Sequence, residues 1–133
     1  MKENISRELA EAMADAIKQK AWEISKDPMI VAVINADSTI AKLDVDHGVP
    51  AWLVGVAICK ALQAMVSGPT AQENGIFSNT NLLAAVPLRH NDTLFGSIVV
   101  GGRSFAQNHM LCSEANGVLK NALSAKACQQ KSD

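Results

Sequence analysis

The chain predicts an α+β domain, an antiparallel sheet with helices packed on its faces. Three observations lead there. Its periodicities run in the order helix, strand, strand, helix, strand, strand, helix. Each pair of strand-like runs is joined by a few turn-forming residues, which makes hairpins and therefore antiparallel pairing. The segment from Pro50 to Met65 is apolar on nearly every face, so it needs cover on two sides, the sheet on one and something further on the other.

The elements follow in order. Ile5, Leu9, Met13, Ile17, Ala21 and Ile24 recur at helical spacing, with Glu8, Glu11, Asp15, Lys18 and Lys20 on the other faces. Lys26-Asp27-Pro28 ends this first helix, because Pro28 lacks an N–H and biases Asp27 away from helical angles. Met29 to Ile34 is an apolar, β-branched run and reads as a buried strand. Asn35 to Ser38 is turn chemistry, and Thr39 to Val45 is the strand paired with the first. After the loop Asp46 to Val49, Pro50 suits the first position of the next helix, which stops near Ser67-Gly68-Pro69. Thr70 and Glu73 match a capping box for a single turn inside a long, mostly irregular connection over 67–81, the kind of loop that often covers a binding site. Leu82 to Leu88 and Leu94 to Val100 form a second strand pair, in which Pro87 indicates an exposed edge or a strand end. Ser104 and Gln107 match another capping box and open the last helix, whose buried stripe is Leu111, Ala115, Val118, Leu119 and Ala122. Residues 1–125 are thus expected to form one domain and 126–133 a frayed polar tail.

Composition narrows the function classes. With 133 residues, 48% of them apolar, the chain has enough material for one real core. Twelve basic residues face thirteen acidic ones, a net charge of −1, so no global field attracts nucleic acid or an acidic membrane surface. Aromatic residues make up 4% and tyrosine is absent, which argues against base-stacking platforms. The longest apolar run, Val49 to Cys59, is too short to span a bilayer, and the N-terminus is amphipathic from the start. These features predict a cytoplasmic protein. Cys59, Cys112 and Cys128 form no CxxC pair and are expected as free thiols, with Cys59 packed inside its apolar helix.

Several stretches in this order resemble the GlcG/HbpS family, which includes the C-terminal domain of PduO-type corrinoid adenosyltransferases. They are Ile30 to Asn35, Val45-Asp46, Lys60-Ala61, Val86-Pro87-Leu88 and Gly96 to Gly102, and the resemblance covers about residues 6–123. The chain departs from the family pattern at Asn35, Ser38, Leu43-Asp44, Ala84-Ala85, Ala106 and Asn108. The resemblance implies a profilin-like fold, an antiparallel sheet of about five strands with helices on both sides. It also implies homo-oligomers, haem binding in some members and a link to small-molecule metabolism.

Five residues carry candidate chemistry, each beside a structural alternative. Lys60 either holds an anionic ligand group over the sheet or, desolvated, forms a Schiff base; alternatively it pairs with Asp46 or Asp44, or its ammonium snorkels out of the apolar helix. Asp46 and His47 adjoin that helix, and His47 is the first choice for a haem-iron ligand, although a turn histidine is commonly just solvated. Arg103 and Ser104 sit at the start of the last helix, where free N–H groups and the dipole attract anions; alternatively Ser104 only caps it. No histidine–cysteine cluster suggests structural zinc, and neither a catalytic triad nor a nucleotide-binding fingerprint is present. The expected function is a non-catalytic, homo-oligomeric binder of haem or another anionic small molecule. Its ligand is expected between the sheet, the 50–65 helix and the 67–81 loop, with Lys60 and Arg103 converging on it. Two alternatives stand beside this reading, a small metabolic enzyme oriented by Lys60 and Arg103, and a ligand-free scaffold.

Overall fold

A computed structural model describes residues 2–70 and 82–131, with side chains through residue 126. The elements are α1 (Arg7–Ile24), β1 (Ile30–Asn35), β2 (Ile40–Val45), α2 (Ala51–Ser67), β3 (Leu83–His90), β4 (Thr93–Gly101) and α3 (Phe105–Lys131). The pairings between strands are antiparallel, and the sheet order is β2-β1-β4-β3, with one isolated parallel bridge between Lys2 and Leu94. The described residues supply four of the about five strands that the resemblance implies. Pro87 lies on β3, an edge strand, where a missing N–H is tolerated.

Side chains alternate across the two faces. Val31, Val33, Ala84, Val86, Ile98 and Val100 face α1 and α3, and pack with Met13, Ile17, Leu111 and Leu119. Each of those large side chains is fully buried, which is worth roughly 1.5–3 kcal/mol apiece. Ile30, Ala32, Ile34, Leu83, Ala85 and Val99 face α2, against Leu53, Ala57, Ala61 and Ala64. Helices therefore cover both faces, as expected.

Local chemistry fixes the element ends. Ser6 caps α1 by accepting the Leu9 N–H at 3.2 Å. Pro50 is the N-cap of α2 rather than its first helical residue, with extended backbone angles (φ −67°, ψ 143°). Ser104 and Gln107 form the expected reciprocal capping box, at 3.2 and 3.1 Å. Gly96 (φ 144°) is required because any Cβ there would collide with the Ile34 carbonyl oxygen on the neighbouring strand. At Gly102 (φ 119°) a Cβ would likewise crowd the Pro28 carbonyl oxygen, at 2.6 Å.

The structure also departs from the sequence reading. Cys59 is exposed, because only the Leu53, Ala57, Ala61 and Ala64 side of α2 meets the sheet. On the outer side Trp52 is 54% and Val66 88% exposed among the described residues. The helix α3 continues to Lys131, through most of the segment read as a tail. The 67–81 connection beyond Thr70, the capping box at 70–73 and the side chain of Cys128 lie outside the described residues.

Candidate functional site

Asp46 organises one end of the sheet. Its carboxylate accepts the Met29 N–H at 3.1 Å and the Lys18 ammonium at 2.9 Å, and its own N–H donates to the Met29 carbonyl at 3.0 Å. Lys18 also reaches Asp44 at 3.1 Å. Burial by itself raises the Asp46 pKa. The hydrogen bonds from Lys18 and Met29, with the charges of Lys18 and Arg103, outweigh that and hold the carboxyl below its ordinary value. Lys18 is raised, chiefly by its bond to Asp46 and against the effect of its own burial.

This network corrects one sequence expectation, since the partner of Asp46 and Asp44 is Lys18 and not Lys60. The register explains it. Asp44 sits opposite Val31, which faces α1, whereas Lys60 rides on α2 across the sheet.

Beside Asp46 the last turns of α1 expose Trp22, at 47% of its surface. The ammonium groups of Lys18 and Lys26 lie 5.7 and 5.1 Å from its ring centroid, within cation–π range. Trp22, Lys26, Pro28, Asp46 and His47 line an open groove of about 400 Å³. A second hollow of about 290 Å³, lined by Asp15, Lys18, Gln19 and Asp44, continues along the other side of the same indole. The groove thus offers a flat aromatic surface, one cation in Lys26, one carboxylate in Asp46 and an imidazole.

The three histidines differ in how they are engaged. His109 Nε2 lies 2.8 Å from the Thr70 carbonyl oxygen, and its ring meets Phe105 edge-on at 4.6 Å. His90 Nε2 is 3.2 Å from the Asn91 amide nitrogen. His47 is exposed and has no hydrogen-bond or ion-pair partner among the described residues. It is the histidine most open to a ligand. No cluster of histidine, cysteine and carboxylate side chains suited to a metal ion occurs among the described residues.

Arg103 lies at this same end, but its donors are already engaged. Its Nε bonds the Ala21 carbonyl at 3.2 Å, Nη2 the Ser25 carbonyl at 2.5 Å, and Nη1 the Asp27 and Gly102 carbonyls at 3.0 and 2.8 Å. It therefore clasps the C-terminal end of α1, adding to the Ser25 N–H that the Ala21 carbonyl already accepts and holding the chain that follows through the Ser25 and Asp27 carbonyls. The Ser104 hydroxyl is taken by the cap.

Lys60 stands apart. It lines a separate cleft of about 230 Å³ with Gln63, Ala64, Ser67, Gly68, Pro69 and Thr70, near the C-terminus of α2. This is close to the place foreseen for a ligand, between α2 and the following loop. Neither Arg103 nor His47 lines that cleft, so the two cations do not share a cavity.

Sequence reasoning missed Trp22, Lys18 and Asn108. The signal for Trp22 was an indole lying off the apolar stripe of an amphipathic helix. Asn108 is fully buried, where its side chain accepts the Arg103 N–H at 3.2 Å and donates to the Leu82 and Arg103 carbonyls.

Comparison with solved structures places this architecture. A Klebsiella pneumoniae protein, ORFY, assigned to the DUF336 family model, superposes with a TM-score of 0.65 at 16% identity, over 90% of this chain and 94% of its own. A PduOC–haem complex superposes with a TM-score of 0.67, also at 16% identity, over 87% of this chain and 95% of its own. The fold is of the DUF336 type. No protein-family model matches the chain, and no curated protein sequence matches it. No helix among the described residues is long and apolar enough to cross a membrane.

Proposed function

We propose that this protein is a non-catalytic binder of a flat, anionic small molecule, with haem the first candidate, and that the Trp22–His47 groove is the site. The observation that carries the reading is the meeting of an unengaged imidazole, a half-exposed indole and the Lys26 ammonium in one groove. The chemistry of that set suits haem. His47 would supply a nitrogen ligand for the iron, Trp22 and Pro28 would pack against the apolar ring system, and Lys26 would pair with a carboxylate of the group. When bound, the iron supplies a coordination position for the imidazole. The haem complex of the structural neighbour PduOC adds support for the ligand class. The Asp46–Lys18 network holds the loop on which His47 stands, so it acts as a positioning element.

The test is spectroscopic titration of the full chain with haemin. A Soret band is expected for the wild type, shifted and at least about tenfold weaker in affinity for His47→Ala. It should be unchanged for His90→Ala. The reading fails if no band appears, or if the spectrum is indifferent to His47.

We further propose that the protein associates with itself. Val45, Leu43 and Ile40 pair with Ile30, Ala32 and Ile34, so they lie on the α2 side of the sheet. The helix α2 packs over β1, β3 and β4. Ile40 is left 51% exposed, and Leu43 and Val45 38% each. This apolar step on an edge strand suits a second copy. Leu43→Glu should convert the assembly to monomer by light scattering; an unchanged mass rules this surface out.

A further inference from the structure

A further hollow lies at the opposite end of the sheet from the Trp22–His47 groove. It encloses about 530 Å³, within the range of small-molecule sites. Four parts of the chain build it. Leu62, Met65 and Val66 come from the last turns of α2, Ala36 and Ser38 from the β1–β2 turn, Arg89, Asp92 and Leu94 from the β3–β4 hairpin, and Lys2 from the N-terminal segment. That segment is fastened there by the Glu3 N–H, which donates to the Leu94 carbonyl at 3.0 Å. The pairing of β3 with β4 shifts register between Leu88 and Arg89, an irregularity of the kind that re-aims a side chain. Arg89 thereby joins Leu94 in the cleft wall.

The chemistry of this cleft is divided. One wall is apolar, from Leu62, Met65, Val66 and Leu94. The rim carries two cations, Lys2 and Arg89, against one carboxylate, Asp92. Neither cation has a hydrogen-bond or ion-pair partner among the described residues. Of the other cations, Arg7, Lys18, Lys20 and Arg103 are engaged by carboxylates or carbonyls, whereas Lys42, Lys120 and Lys126 also have no such partner among the described residues; what sets Lys2 and Arg89 apart is that both line one cleft beside an apolar wall. A guanidinium and an ammonium beside an apolar wall match a ligand with an anionic head and an apolar body.

We infer that this cleft is a second binding site, for an organic monocarboxylate with an aliphatic or aryl body. The carboxylate lies against Arg89 and Lys2, and the body lies along Leu62, Met65 and Leu94. The site needs neither His47 nor Trp22, so it stands or falls independently of the haem groove.

Octanoate and its neutral isostere octanamide are the probes, titrated into the full chain with amide chemical shifts as the readout. Octanoate is expected to move the amides of Ala36, Ser38, Met65 and Leu94. It should bind at least about tenfold more tightly than octanamide. Arg89→Met, checked for retained fold by circular dichroism, should remove most of that difference, and Trp22→Ala should leave octanoate binding unchanged. The inference is overturned if octanoate shifts nothing at about 1 mM, well above the affinities typical of functional small-molecule sites. Equal binding of the acid and the amide by the wild type overturns it too, as does a shift pattern confined to the Trp22 groove.

Discussion

Replacing Arg103 by methionine tests whether this residue is a structural clasp or part of a ligand site. Methionine keeps most of the aliphatic length and removes every donor. Two of the hydrogen bonds, to the Ala21 and Ser25 carbonyls, are partly buried, and the two from Nη1 are exposed. A charge-assisted bond of the first kind is worth about 1–1.5 kcal/mol when some water remains, and the exposed ones little. A cation at a helix C-terminus adds about 0.5 kcal/mol. The sum is about 3 kcal/mol, which in a domain of this size lowers the melting temperature by roughly 10 °C. Arg103→Lys should recover only about a third, because one ammonium cannot reach carbonyls of Ala21 and Ser25 with separate, fixed nitrogens. Thermal and urea unfolding without any ligand measure this directly. If Arg103→Met melts within about 2 °C of wild type, the clasp reading is wrong.

Two further predictions come from the polar interior. Because the Asp46 pKa is lowered on folding, its contribution is present above the unfolded carboxylate value and is lost as pH falls through the folded one. Asp46→Asn should therefore cost about 1–3 kcal/mol at neutral pH and flatten the acid limb of the stability curve below about pH 4; an unaltered limb refutes the linkage. The Ser97 hydroxyl is wholly buried and has no hydrogen-bond partner among the described residues, so Ser97→Ala should stabilise the protein by about 1 kcal/mol in urea unfolding, and a loss of that size refutes it.

Local signals in the sequence were reliable. The hairpins, the Ser104–Gln107 box and the edge position of Pro87 each follow from residues a few places apart. The partners of the charged residues were not legible, because they depend on which helix lies over which strand. Lys18 reads as part of a solvated helix face until α1 settles beside β2 and brings it to Asp44 and Asp46. Arg103 reads as an anion ligand until the β4–α3 turn meets a helix end 78 residues earlier. Asp46 and His47 were found from their loop, but the indole that makes a groove of them belongs to α1.

The two layers packed on the sheet are not held alike. Half of the fully packed residues beneath α2 are alanines, Ala32, Ala57, Ala61, Ala64 and Ala85. Those beneath α1 and α3 include Met13, Ile17, Phe95, Leu111 and Leu119. Small side chains let α2 sit close, yet they withdraw less apolar surface from water per turn of helix. The layer of α2 therefore has the lower free energy of opening, and its amides should exchange with solvent before those of α1 and α3. Separation starting there would uncover Ile30, Ile34 and Val99 while the four-stranded sheet stays bonded to the other two helices. The protein would then pass through a half-dressed sheet on its way to unfolding.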